Sequence, residues 1–139
     1  MKIKLYLCLV CILMSVSGCS KSNPQAEKAA IDAAQTWLAL VDSQQYTQSW
    51  EQAAEFFKNA VPMEKWEQSM NNFRAPLGKL KSREVKSSSY RTALPGAPDG
   101  QYVIIQFKSS FENKASAVET VTPMLDKDGS WKVSGYYIK

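Results

Sequence analysis

Few side chains in this sequence are equipped for chemistry, and what is missing narrows the field first. None of the 139 residues is a histidine, so the commonest general base and the commonest zinc ligand are both lacking. Proton transfer would fall to carboxylates and tyrosines. Glu119 stands out among the carboxylates because it shares strand parity with Ala117 and Val121. It therefore points toward an apolar setting, which favours the protonated form of a carboxyl. Such a group could act with Tyr136 or Tyr102 and with the cation Arg83, and Glu84 is a second carboxylate nearby by alternation alone. The plainer alternative carries more weight: Glu119 pairs with Arg83 or Lys132 across a sheet, or faces water. Asp126-Lys127-Asp128-Gly129 holds a fragment of a calcium loop without its downstream glutamate, and a hairpin turn explains it fully. No glycine-rich phosphate loop and no nucleophile elbow occurs. Neither a metal nor a cofactor is expected.

The three cysteines carry a different chemistry. Lys2 and Lys4 precede the apolar run Leu5 to Val16, and small residues follow, which is the layout of a secretory signal. As a helix that run spans about 18 Å at ~1.5 Å per residue. A bilayer core is about 30 Å thick, so the run does not read as a permanent membrane span. Its end, Val16-Ser17-Gly18-Cys19, resembles the bacterial lipoprotein processing box, in which the cysteine thiol is acylated and becomes the first residue. Cys8 and Cys11 leave with residues 1–18, so the mature chain keeps no free thiol for a disulfide, metal or nucleophile. By resemblance to Gram-negative lipoproteins, Ser20 favours the outer membrane facing the periplasm over inner-membrane retention. Residues 19–23 form a short tether, so the domain over 24–139 would begin within about 18 Å of the lipid.

The rest of the chain reads as one domain of ordinary globular composition, 45% hydrophobic and 22% charged. With Lys2 and Lys4 set aside, the net charge falls from +4 to about +2, too little to argue for a polyanion partner. Nucleic acid is not expected. Asn23 or Ser22 caps a first helix whose Ala30, Ala34, Trp37 and Val41 share a face. Thr47 opens a second helix with Trp50, Ala53, Ala54 and Phe57 on its stripe. Val61-Pro62 breaks it and starts a third, with Met63, Trp66, Met70 and Phe73 together. The aromatic pairs Trp50/Phe57 and Trp66/Phe73 could form a ligand cage, but stripes at this spacing are more often core.

Four strands follow. Leu80 to Thr92 is polar and suits an edge, its Lys79, Lys81, Arg83, Lys86 and Arg91 forming a basic, solvated run. The rigid turn Leu94-Pro95-Gly96-Ala97-Pro98-Asp99-Gly100 opens into Tyr102 to Phe111, the most apolar strand. Asn113, tolerant of positive φ, sits in a tight hairpin. Ala115 to Leu125 carries Pro123, which suits an edge or a bulge, and Trp131 to Ile138 closes the sheet. The expected class is α+β: three N-terminal helices, then a curved four-stranded antiparallel sheet.

Leu94–Tyr102 (LPGAPDGQY), Pro76–Arg83 (PLGKLKSR) and Asp128–Ile138 (DGSWKVSGYYI) together resemble a bacterial family known as domain of unknown function 4019, whose members include lipoproteins. The order of elements is similar to the nuclear transport factor 2-like, or cystatin-like, cone. The family implies no defined activity and no defined functional residue. Cone folds often hold a pocket between helices and sheet, which would gather Glu119, Glu84, Arg83, Tyr102 and Tyr136. The expected function is a non-catalytic binding or assembly-accessory module, attached to a membrane and recognising an envelope protein or a small apolar ligand. The alternatives are a histidine-free acid/base enzyme with a small apolar substrate, and a structural spacer. Oligomeric state is left open by the sequence.

Overall fold

The computed structural model describes residues 21–139; the expected signal segment, Cys19 and the start of the expected tether lie outside them. Helix α1 (Pro24–Asp42) starts where the sequence places it. Asn23 accepts the Ala26 N–H at 3.1 Å and Pro24 fills the first helical position, where no intrahelical N–H bond is lost. Its inner face buries Ala30, Ala34, Trp37, Leu38 and Val41.

The expected second helix is two short ones, α2 (Tyr46–Glu51) and α3 (Glu55–Ala60), so α4 (Met63–Phe73) makes four helices rather than three. The break at Ala54 has a tertiary cause. Ala54 is extended, and its N–H donates to the Val133 carbonyl at 2.8 Å. The next N–H, that of Glu55, donates to the Asp126 carboxylate at 3.2 Å. Two amides that would continue a helix are spent on the sheet instead.

A 3₁₀ turn (Ala75–Leu77) leads into β1 (Leu80–Arg91), β2 (Tyr102–Phe111), β3 (Lys114–Leu125) and β4 (Trp131–Ile138). They form one antiparallel sheet in the order β1-β2-β3-β4, open at both edges, and the class is α+β. Strand β1 lies at an edge as expected. Of the two places expected for Pro123 it takes the bulge: β3 is internal, and a register shift between Thr122 and Pro123 accommodates the missing N–H. Asn113 is not at positive φ; among the described residues only Gln44 is, glycines aside. Instead the Asn113 N–H and Nδ2 donate to the carbonyls of Leu77 and Pro76, both at 2.9 Å, docking the β2–β3 turn on the 3₁₀ turn. Gly78 makes that approach feasible: it has φ +78°, and a Cβ there would lie 2.7 Å from Glu112 Oε2. In the loop before β2, Ala97 N–H reaches the Leu94 carbonyl at 3.2 Å, with Gly96 at φ +75° as a type II turn requires.

The centre of the space between helices and sheet is filled. Trp37, Trp66 and Tyr136 lie within 5.4 to 6.1 Å of one another by ring centroids, and Phe57 meets Trp66 edge-on at 5.2 Å. Both buried indoles are satisfied on one residue: Trp37 Nε1–H donates to the Ser49 carbonyl at 2.7 Å, and Trp66 Nε1–H to Ser49 Oγ at 2.9 Å. Of the four possible cage aromatics, Phe57 and Trp66 are core, Trp50 packs half-buried against it and Phe73 is exposed.

Candidate functional site

A chain of four charged side chains crosses the interior. Glu119 on β3 is fully buried. Its Oε1 accepts from Arg83 Nε at 2.8 Å and from Ser109 Oγ at 2.6 Å; its Oε2 accepts from the Tyr136 hydroxyl. Strand pairing explains the meeting. Arg83 lies opposite Ser109 on β2, which lies opposite Ala117, two residues before Glu119. The Arg83 guanidinium then turns to Asp42, donating at 2.7 and 2.9 Å. Asp42 also accepts from Arg74 at 3.0 Å, and the Arg74 guanidinium lies 4.3 Å over the Phe111 ring. Charges alternate along the series Arg74, Asp42, Arg83, Glu119, so it is neutral overall.

The electrostatic consequences follow from the contacts. Burial lowers the Arg83 pKa, but the bonds to Asp42 and Glu119 outweigh it and hold the guanidinium above its ordinary value. Burial, and then the Glu119 charge, push the Tyr136 phenol far above the usual tyrosine range. Both Glu119 oxygens are engaged by the protein, and Tyr136 is a poor proton donor or acceptor at neutral pH. This arrangement fastens α1, α4 and the sheet together. Two atoms next to it, Tyr46 Oη and Arg74 Nε, are buried without a protein hydrogen-bond partner among the described residues.

The structure therefore brings Glu119, Arg83 and Tyr136 together and leaves the other sequence candidates elsewhere. Tyr102 sits at the far end of β2, buried, with its hydroxyl on the Pro98 carbonyl at 2.5 Å, where it ties down the preceding loop. Glu84 is exposed and lies opposite Lys108. Lys132 pairs with Asp128 at 3.0 Å and not with Glu119. Arg83 leaves the basic run of β1 because the ladder shifts register between Leu80 and Ser82, changing which residues face inward. Asp42, Arg74 and Ser109 were not anticipated. One signal was present: Asp42 is an anion in the last turn of α1, at the negative end of the helix dipole, where only cationic neighbours make it favourable.

Beyond Tyr136 the molecule opens. A cleft of about 480 Å³ lies between α3/α4 and the end of β4, lined by Val61, Trp66, Met70, Phe73, Tyr136 and Ile138 among others. Phe73 and Tyr137, which also line it, are 71% and 61% exposed. Phe73 shares a helix face with Trp66 and Met70 as expected, but nothing among the described residues covers it. Among these residues no group of three or more acidic or cysteine side chains is placed to hold a metal, and no helix is long and apolar enough to cross a membrane. Residues 33–136 match the family model described as "Protein of unknown function (DUF4019)". No curated protein and no solved structure matches the chain.

Proposed function

The chain belongs to the DUF4019 family, whose description carries no activity, and from its own geometry we propose that it is a non-catalytic binding module of the cell envelope. Its docking surface is the groove between α4 and β4. The reading includes acylation of Cys19, attachment to the outer membrane facing the periplasm, and a cone-like curvature of the sheet; support for these is the sequence alone. One observation carries the docking reading: Phe73, the most exposed large apolar side chain among the described residues, stands over an apolar groove that the Tyr136–Ile138 end of β4 also borders, whereas the buried carboxylate has no free oxygen. A catalytic carboxylate would have to reach substrate, and a spacer has no reason to keep an apolar groove open.

Two experiments test it. Cys19→Ser is expected to move the protein from the membrane to the soluble fraction, and a variant that still pellets with membranes contradicts the anchor. For the groove, a photo-crosslinking group at position 73 is expected to give a discrete adduct in the native envelope, while the same group at position 84 on β1 gives none. Equal labelling at both positions, or none at 73, contradicts a docking role.

A further inference from the structure

We infer that the occupant of this groove is a second copy of the chain, joined to the first by antiparallel pairing of β4 with β4; the inference rests on the docking reading above. The hydrogen-bond pattern of β4 supplies the argument. Val118 and Lys139 exchange both main-chain bonds, at 3.0 and 2.9 Å. In an antiparallel ladder such pairs alternate with pairs that exchange none. Thr120 and Tyr137 are therefore the next bonded pair, and Glu119/Ile138 and Val121/Tyr136 are the unbonded ones. The main-chain N–H and C=O of Tyr136 and Ile138 thus point away from β3, out of the sheet edge and beside the groove.

Among the described residues only this part of the β4 edge is open. Upstream, the Val133 carbonyl is taken by the Ala54 N–H, so the start of α3 covers the first half of β4. A strand docking here must match two outward residues, 136 and 138, spaced by one. A second β4 running antiparallel does so with Tyr136 opposite Ile138 of the other copy, and the reverse. Tyr137 then falls on the twofold axis, facing its own counterpart on the outer surface of the sheet. A register centred on Tyr136 would drive the partner's Ile138 against the covered part of the edge, whereas one centred on Tyr137 pairs both outward residues of each copy. The register centred on Tyr137 is thus the one that fits.

The area is of the right order. An aromatic side chain buries about 150–250 Å². At their observed exposures, Phe73 and Tyr137 would contribute roughly 250 Å² per copy and about 500 Å² per pair. That is about half of the ~1,000 Å² that a biological interface has to clear. Ile138, Val61 and the strand main chain lie along the same joint to supply the remainder. The twofold axis is normal to the sheet, so both helical layers fall on one face and the two Phe73 side chains flank the seam. An interface of this size associates in a concentration-dependent way, which confinement of both copies to one membrane would favour.

The test uses the full-length protein in its native envelope. In Tyr137→Cys the two thiols lie across the axis in a closely spaced unbonded pair, and mild oxidation is expected to give a disulfide-linked dimer on a non-reducing gel. Wild-type protein and Glu84→Cys are expected to give no disulfide-linked dimer and to run as monomers on the same gel. Ile138→Pro removes an outward N–H without touching the β3 ladder. It is expected to keep the wild-type circular dichroism while the dimer dissociates about thirtyfold more readily, two bonds being lost per pair. Absence of the Tyr137→Cys dimer overturns the inference. If position 73 still crosslinks to a different protein, the docking reading survives and the second copy is ruled out as occupant; if position 73 gives no adduct, both fail.

Discussion

The two edges of the sheet solve the same problem in opposite ways. Strand β1 has an unpaired outer side, yet it is interrupted by two register shifts and its exposed positions are mainly lysines, serines and a glutamate. Its exposed large hydrophobic residue, Val85, stands beside one of those shifts. Strand β1 is also tied inward, Arg83 to Asp42 and Glu119, and Ser88 Oγ to Glu27 at 2.5 Å. Among the described residues, strand β4 is covered only over its first half and ends in the hydrophobic run Tyr136-Tyr137-Ile138 beside an apolar groove. A protein selected only against stray pairing would protect both edges. Protecting one and leaving half of the other apolar is the difference that the proposed contact at the open half would explain.

Substitutions that cut the inward ties of β1 should have the largest effects. Arg83→Met leaves the Glu119 carboxylate buried without a cation and is expected to cost about 3–5 kcal/mol of stability, read by chemical denaturation. A cost below about 1 kcal/mol would mean that the charge chain does not fasten β1 to the helices. Tyr136→Phe, on the β4 side of the same chain, removes one bond to a charged acceptor and should cost about 1.5–3 kcal/mol. It also carries a pH signature. The folded-state pKa of Tyr136 lies above the unfolded value of about 10, so its contribution is complete below that pH and is lost as pH rises beyond it. Stability of Tyr136→Phe should therefore fall less steeply than that of the wild type between about pH 10 and 12. Equal slopes would contradict the burial of that phenol. Phe73→Ser should change the stability of the single domain by no more than about 0.5 kcal/mol while weakening formation of the Tyr137→Cys disulfide dimer. That separation of fold from contact is the sharpest form of the comparison.

Much of this was readable from the residues, and the exceptions share a cause. The α1 face and the limits of β2 and β4 come directly from periodicity, because each element's burial is set by its own side chains. The division of α2 from α3 was not readable: it depends on Ala54 meeting Val133, nearly eighty residues away, and two alanines carry no local sign of it. The inward turn of Arg83 was hidden by the register shifts in β1, since strict alternation keeps it in line with Lys79 and Lys81 on a solvated run. Pairing of Glu119 with Arg83 was among the alternatives weighed, whereas Asp42, the anion that joins both arginines, was visible only as an unfavourable helix ending. Composition does not reveal that Phe73 and Tyr137 remain uncovered, because both fit the periodic patterns of buried elements.

The difference between the edges can be measured directly by amide hydrogen exchange at two protein concentrations. The outward amides of Tyr136 and Ile138 are expected to become protected as concentration rises, while the outward amides of β1 exchange at the same rate in both samples. Exchange at residues 136 and 138 that is indifferent to concentration, or protection that appears on β1 instead, would contradict a contact surface at the open half of β4.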